Sequence, residues 1–202
     1  MAANNPLEPK IGSPAVGTAA ALQGEVERLK AKLIEAEWKI AELEARADVD
    51  PLLDILNRRG FERELARSIA YVKRHGTAAA MVYIDLDGFK AVNDKHGHAA
   101  GDALLKAVAR DLTGHVRASD VVARLGGDEF AVLMWNLDEA QAVAKSHDLE
   151  ASIARVSVAA GAARVSVGAS AGIVVLTGNT TPSAISDAAD KAMYVRKKER
   201  RG

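Results

Sequence analysis

The sequence predicts an α/β domain built on one central sheet, preceded by a helix that forms a parallel coiled coil. From about residue 50 onward, short apolar runs rich in strand-forming residues alternate with longer helical segments, which is the pattern of a sheet with helices packed on it. Before that point a strict heptad repeat runs through residues 22–46. The 202 residues suffice for one ordinary domain with an appendage.

The composition limits the class of protein. Hydrophobic residues make up 49% of the chain, enough to bury a sizeable core, and 27 basic residues balance 27 acidic ones. Nucleic acids and anionic membranes attract proteins with a strong basic excess, so neither is expected as a partner. The absence of cysteine excludes disulfides, zinc–thiolate sites and thiol nucleophiles. With no apolar run of roughly 18 to 20 residues and no signal-peptide pattern, we expect a soluble, cytoplasmic protein.

The N-terminal region divides into a tail and a dimerising helix. Residues 1–20 are rich in Ala, Gly, Pro and Asn and are expected to be disordered. Residues 21–47 are expected to form the coiled coil. The a positions hold Val26, Leu33 and Ile40, and the d positions hold Leu22, Leu29, Ala36 and Leu43. β-Branched residues at two of three a positions, with mostly Leu at d, favour two parallel strands.

The charges beside the heptad seam agree with a parallel dimer. In that arrangement each g residue meets an e residue of the partner, and all three such pairs are opposite in sign. The pairs are Glu25 with Lys30, Lys32 with Glu37, and Lys39 with Glu44. The alternative is one amphipathic helix packed on its own domain, for which a wider apolar stripe is typical.

The globular part begins where Asp50-Pro51 ends the long helix, because proline disfavours a helical residue before it. Helices are predicted over residues 57–75, 101–116, 138–154 and 182–199, the first ending near Gly76. Strands are predicted over residues 78–85, 121–125, 129–135 and within 163–176. The second and third strands form a hairpin around Gly126-Gly127.

Acidic residues follow two of these predicted strands. Neighbouring strands would bring Asp85, Asp128 and Glu129 together at one edge of the sheet. Magnesium typically uses one or two protein carboxylates and keeps its remaining positions for water and phosphate. Asp85 and Asp128, with the Leu86 carbonyl, suit that ligand role, and Glu129 either completes a second metal position or helps accept a proton. The alternative is that these are solvated loop residues or helix caps.

Two neighbouring features strengthen the interpretation as a phosphate site. Lys90 lies five residues after Asp85, where it could meet negative charge developing on a phosphoryl group. Gly126-Gly127 can adopt backbone angles that are closed to other residues, and it would let a phosphate approach the main chain.

With these motifs in place, the chain resembles the GGDEF family of diguanylate cyclases, named for the string at 126–130. Several motifs recur in order over residues 48–202. They are Asp50-Pro51-Leu52, Asn57-Arg58-Arg59, Asp85 to Lys90, Asn93-Asp94, Gly97-His98, Gly101-Asp102 and Ala189 to Tyr194. One departure is Leu53-Asp54, where the family usually carries Thr-Gly, and it affects how the helix is expected to couple to the domain.

The resemblance implies a central, mainly antiparallel sheet flanked by helices, the palm-like fold of nucleotide cyclases. It also implies roles for individual residues. The implied metal ligands, for Mg²⁺ or Mn²⁺, are Asp85, the Leu86 carbonyl and Asp128, and the catalytic groups are Asp128, Glu129 and Lys90. The implied substrate contacts are Phe89, Asn93, His98, Asp102, Gly126, Gly127, Lys197 and Arg201, the last two at the terminal phosphates.

The guanine assignment falls on Asn93 and Asp102 and has a physical reason. The Asp102 carboxylate can accept from guanine N1–H and the exocyclic amine together, whereas adenine presents an acceptor at N1. A site built on buried polar partners rejects the wrong base on the order of a thousandfold. A cyclase that accepts ATP as well is therefore disfavoured. Helix capping is the alternative role for Asn93 and Asp102, and a structural histidine for His98.

Arg117-Ala118-Ser119-Asp120 resembles the family's inhibitory site for its product, cyclic di-GMP. A guanidinium binds phosphate or guanine bidentately, and a carboxylate accepts from a guanine edge. The alternative is a surface ion pair at a helix end. The expected function is thus a homodimeric cyclase that condenses two GTP into cyclic di-GMP and is inhibited by it. The rival is a catalytically silent cyclic di-GMP receptor. Activation is expected through the tail, the coiled coil or an upstream sensor protein.

Overall fold

A computed structural model of the chain describes residues 15–178, together with 181, 183–185, 187, 188 and 191. The chain divides into two compact units, one ending at Ala45 and the other beginning at Arg46. Within the described residues, no helix is both long enough and apolar enough to cross a membrane.

The described residues of the first unit are all helical, and the helix continues to Ala47. Helix α1 spans Ala15–Ala47, so residues 15–20, which were assigned to the tail, are helical; residues 1–14 lie outside the described part. The heptad residues Leu22, Val26, Leu29 and Leu33 are all exposed in the single chain. Glu25 bonds Arg28 of its own helix, which lowers the pKa of the Glu25 carboxyl. The coiled-coil dimer stays a prediction, supported by this uncovered seam.

The second unit alternates helices and strands. In chain order they are β1 Leu56–Asn57, α2 Arg58–His75, β2 Ala79–Asp87, α3 Phe89–His96, α4 His98–Gly114, β3 Val121–Gly126, β4 Glu129–Trp135, α5 Glu139–Arg155, β5 Val158–Ala160, β6 Ala163–Val165 and β7 Gly168–Val175. The expected helix over 182–199 lies outside the described residues for most of its length.

The predicted sheet is confirmed. Five strands lie in the order β1-β3-β4-β2-β7, and strands β5 and β6 form a separate hairpin. Only the β1–β3 pair within this sheet is parallel; the other pairs are antiparallel. Helix α2 covers one face through Phe61 and Leu65, and α4 and α5 cover the other through residues such as Leu104 and Leu149. Strand β2 is therefore apolar on both faces until it reaches Asp85.

Local signals explain where the elements begin and end. Asn57 caps α2 by accepting from the Gly60 amide, and Gly76 ends that helix in the left-handed conformation. Asp138 and Gln141 form a capping box at the start of α5. Helix α3 was not predicted. Gly97, with a φ of 80°, separates it from α4, which begins at His98, three residues before the predicted start at 101.

Candidate active site

The ends of β2 and β4 bring the predicted acidic residues together. Asp85 lies directly opposite Glu129 in the antiparallel pair, and the Leu86 amide donates to the Asp128 carbonyl at 3.1 Å. Opposed residues of such a pair have Cβ atoms about 4.5–5.5 Å apart on one face of the sheet. The amide and carbonyl of one strand residue project to the same side. The Leu86 carbonyl therefore faces the hairpin, beside Asp128.

The hairpin reverses one residue later than the sequence predicts. Strand β3 continues through Gly126, so the turn falls on Gly127 and Asp128, with a bulge between Arg124 and Gly126. Neither glycine has the positive φ that was offered as the reason for it. A β-carbon at Gly126 would lie 3.2 Å from Glu129 Oε2, so a side chain there would require the Glu129 carboxylate to shift by a few tenths of an ångström. At Gly127 a β-carbon would meet nothing within 4 Å, which leaves the turn open to an approaching group.

Two arginines hold this hairpin, and sequence reasoning gave neither a role in the site. Arg124 donates from Nε and Nη2 to the Gly127 carbonyl at 3.1 and 2.8 Å, and its Nη1 lies 3.2 Å from Asp50 Oδ2. Arg58 donates from Nε to the Leu125 carbonyl at 2.8 Å. A cleft of about 470 Å³ runs beside the turn. Its lining residues are Asp50, Asn57, Arg58, Arg59, Arg124, Leu125, Gly126 and Gly127.

The oxygen groups at the hairpin fit a hard divalent cation. Among the described residues, no group of three or more His, Cys, Asp or Glu side chains is placed to hold an ion by itself. Magnesium does not require such a group, since it binds through one or two carboxylates with water and substrate phosphate completing its octahedron. Asp85, Asp128 and the Leu86 carbonyl match that requirement in both number and chemistry.

Lys90 lies where β2 passes into α3. Gly88 joins the two elements with a φ of 82°, a conformation that favours glycine, and no side chain caps the helix start. The first amides of α3 are therefore available to an anion beside the exposed Lys90 side chain. The Phe89 side chain is only 7% exposed and belongs to the core. Any contact between Phe89 and the substrate would therefore be made by the main chain of Phe89.

The predicted guanine contacts meet at the junction of α3 and α4. Asn93 Oδ1 is buried and has no hydrogen-bond partner within the described structure. His98 and Asp102 are exposed on the first turns of α4. A buried polar atom without a partner costs free energy, and a ligand that supplies the missing hydrogen bond removes that cost. Lys197 and Arg201 lie outside the described residues, so their placement stays a prediction.

The Arg117–Asp120 segment forms a turn after α4. Both oxygens of the Asp120 carboxylate bind main-chain amides, Oδ2 that of Arg117 at 2.9 Å and Oδ1 that of Trp135 at 3.2 Å. The alternative of a side-chain ion pair between Arg117 and Asp120 is therefore wrong for this structure. The Arg117 side chain is exposed.

A second cleft, of about 510 Å³, adjoins this turn at Ser119. Tyr71 packs edge-on against Trp135 in its wall, with ring centroids 5.4 Å apart. The lining residues are Glu64, Arg67, Ser68, Tyr71, Thr77, Ser119, Trp135 and Asn136. Sequence reasoning missed Arg67, a second guanidinium near the turn, because it comes from α2.

The domain thus combines a mixed five-stranded sheet, helices on both faces and an acidic hairpin at the end of its central strands. Residues 47–202 match the family profile described as "Diguanylate cyclase, GGDEF domain". The chain belongs to this family.

Relatives agree with the family and with the fold. Diguanylate cyclase TpbB of Pseudomonas aeruginosa is 38% identical over 184 residues, which are 90% of this chain and 42% of TpbB. The chain therefore spans less than half the length of this relative. A sensory box/GGDEF family protein from Caulobacter crescentus is 37% identical with a TM-score of 0.69, over 75% of this chain and 99% of that one. Diguanylate cyclase SiaD of P. aeruginosa, solved with its activator SiaC, is 28% identical with a TM-score of 0.72, over 91% of this chain and 74% of that one.

Proposed function

We propose that this chain is a diguanylate cyclase, which condenses two GTP molecules into cyclic di-GMP and releases two pyrophosphates. The observation that carries the proposal is the intact acidic hairpin, in which Asp85 opposes Glu129 and Leu86 is bonded to Asp128. A protein that only bound cyclic di-GMP would not need two carboxylates and a carbonyl converging at this edge. The carboxylates would hold Mg²⁺ or Mn²⁺, which when bound neutralises phosphate charge and lowers the pKa of a hydroxyl.

The residues at the hairpin suggest how the reaction proceeds. The 3′-oxygen of one GTP attacks the α-phosphorus of the other, the new P–O bond replaces the bond to pyrophosphate, and the hydroxyl proton leaves. Asp128 or Glu129 accepts that proton. Lys90 and the free amides at the start of α3 stabilise negative charge on the phosphates. A second, identical attack closes the ring.

Recognition of guanine would come from the α3–α4 junction. The Asp102 carboxylate is exposed at the mouth of this junction, and the Asn93 amide is half-buried beside it. Asp102 accepts from guanine N1–H and the exocyclic amine, and a donor on the guanine would give Asn93 Oδ1 the hydrogen bond that it lacks within the described structure. These contacts would favour the binding of GTP over the binding of ATP.

The reaction requires two domains, because each GTP is bound by one subunit and attacked from the other. The exposed heptad seam of α1 supports a homodimer that keeps two domains at high effective concentration. SiaD was solved in complex with an activator protein. By analogy, we propose that an activating partner protein also binds this chain. An upstream partner would then act by changing how the two domains meet.

Product inhibition would use the cleft beside the Arg117–Asp120 turn. Arg117 and Arg67 supply two guanidinium groups for phosphate or guanine, and the Tyr71–Trp135 wall offers aromatic surface to a base. The proposed function is tested by incubating purified protein with GTP and Mg²⁺ and identifying products by chromatography and mass. Cyclic di-GMP is the expected product. GTP left unconsumed at every protein concentration, while cyclic di-GMP still binds, would favour the silent receptor.

A further inference from the structure

Two negative charges face each other at the end of the sheet. Asp85 and Glu129 are register partners across β2 and β4, and both are half-buried. Like charges directly opposite one another destabilise a strand pair. The position of the Glu129 carboxylate therefore matters both for the stability of this edge and for the number of carboxylates that a cation would meet.

Arg58 binds the Glu129 carboxylate from the other side. Its Nη2 lies 3.3 Å from Glu129 Oε2, and its Nε donates to the Leu125 carbonyl at 2.8 Å. Two different nitrogens thus hold two different groups, which fixes the plane of the guanidinium. Arg58 is the first residue of α2, and that helix start is itself fixed by the Asn57 cap.

The direction of the contact follows from the strand order. Strand β4 lies between β3 and β2, with Gly126 of β3 on one side of Glu129 and Asp85 of β2 on the other. A β-carbon at Gly126 would come 3.2 Å from Glu129 Oε2 and 3.9 Å from Arg58 Nη2. The Glu129 carboxylate is therefore turned toward β3 and away from Asp85.

We propose that Arg58 is a positioning residue, which holds Glu129 on the β3 side of the hairpin and leaves Asp85 and Asp128 as the carboxylates that meet the divalent cation. The inference rests on the proposed function, because it concerns the cation of that same site. It agrees with the finding that, among the described residues, no three acidic side chains converge on one point.

The proposal predicts that removing Arg58 strengthens cation binding while it lowers turnover. Without its partner, Glu129 is free to turn toward Asp85 and add a third negative charge, so the cation binds more tightly. The same change takes a coordination position that phosphate oxygen needs, so turnover falls. If Arg58 did not position Glu129, its removal would change cation binding only through the loss of its positive charge, and by the same factor in the wild-type and Glu129→Gln backgrounds.

The test is a Mn²⁺ titration of the nucleotide-free, full-length protein, followed by the paramagnetic resonance of free Mn²⁺ and extended to millimolar concentration. For Arg58→Gln we expect the Kd for Mn²⁺ to fall about tenfold or more, because one added charge about 5 Å from a doubly charged ion has an effect of that size even at the dielectric constant of water. Arg59→Gln is the matched control, since Arg59 is the next residue and pairs with Asp48 instead of the hairpin. In the Glu129→Gln background, where no carboxylate at 129 can turn toward Asp85, Arg58→Gln should lower the Kd for Mn²⁺ only by the smaller part that comes from losing the guanidinium charge.

Kinetics complete the test. Arg58→Gln should lower kcat about tenfold and leave the KM for GTP within about twofold, and Arg58→Lys should recover part of kcat. A Kd for Mn²⁺ that is unchanged or higher in Arg58→Gln, or that falls by the same factor in the Glu129→Gln background, overturns the inference. Because the titration needs no turnover, it decides the role of Arg58 even if the wild-type protein makes no cyclic di-GMP, which is the separate failure of the proposed function.

Discussion

Gly101 lies directly against the amide of Asn93: a β-carbon at position 101 would come within 1.9 Å of Asn93 Oδ1. The two residues belong to different helices, α4 and α3, and Gly101 directly precedes Asp102 in the chain. A side chain at position 101 would therefore force the Asn93 side chain to move. The absence of a side chain there allows the Asn93 amide its present position in the proposed base-binding site.

Replacing this glycine should impair GTP binding. In Gly101→Ala the new methyl group displaces the Asn93 side chain, so we expect the KM for GTP to rise about tenfold or more, the loss of one good hydrogen bond or more. Gly114→Ala is the matched control in the same helix, where a β-carbon meets nothing within 4 Å. It should leave KM unchanged and stabilise the fold by up to about 1 kcal/mol. Equal KM values for the two variants would remove Asn93 from substrate binding.

A second prediction concerns Arg124, which joins Asp50 to the Gly127 carbonyl. The side chains of Arg124 and Asp50 are only 18% and 13% exposed, so removing one leaves the other largely buried without a counter-ion. We expect Arg124→Gln to lower the free energy of unfolding by about 2 kcal/mol. It should also reduce kcat, because Arg124 holds the Gly127 carbonyl of the turn that carries Asp128. Urea unfolding of Arg124→Gln, Asp50→Asn and the double variant measures the coupling. Additive losses in the double variant would show that the pair contributes nothing.

The coiled-coil proposal predicts different effects for two exposed residues of α1. Leu33 occupies an a position of the seam, whereas Trp38, 75% exposed, lies at position f on the outer side. Leu33→Lys should convert a dimer to a monomer in analytical ultracentrifugation, and its rate per subunit should rise steeply with protein concentration. Trp38→Lys should stay dimeric and active. A dimer that survives Leu33→Lys would assign dimerisation to another surface.

The Arg117–Asp120 turn predicts that two substitutions relieve product inhibition with different structural costs. Arg117→Ala removes an exposed side chain, so its melting temperature should match that of the wild type while synthesis continues past the point where the wild type stalls. Asp120→Ala leaves the amides of Arg117 and Trp135 without their acceptor, which should cost about 1–2 kcal/mol of stability as well. Progress curves and thermal unfolding check both effects. Stalling that persists in Arg117→Ala would place inhibition elsewhere.

The strands of this fold were predictable from sequence because apolar runs of the right length mark them. The register that sets Asp85 opposite Glu129 is not given by these runs, because β2 and β4 are buried on both faces and a shift by one residue would leave their apolar pattern almost unchanged. Helix α3 was missed because it is eight residues long and buries only Phe89 and Val92, too few to give a helical period.

The arginine contacts at the hairpin were not predictable in the same way. Arg58 reaches carbonyl and carboxylate groups 67 and 71 positions away, and Arg124 reaches Asp50 across 74. Such contacts depend on tertiary packing and leave no periodic signal in the chain. The family motif that contains Arg58 marks it as notable without saying what it binds. The role predicted for Gly126-Gly127 stays a prediction; in the structure a β-carbon at Gly126 would press on Glu129 Oε2, and one at Gly127 would meet nothing within 4 Å.

The most direct test of the central proposal is a product assay that compares wild-type protein with Asp128→Asn, using GTP and Mg²⁺ across a range of protein concentrations. Asp128→Asn removes one charge and one proton acceptor while keeping the shape of the turn, so binding of added cyclic di-GMP should persist. We predict that the wild type converts GTP into cyclic di-GMP and pyrophosphate and that Asp128→Asn forms at least about a hundredfold less. Equal product from both proteins, or none from the wild type, would contradict catalysis at this hairpin.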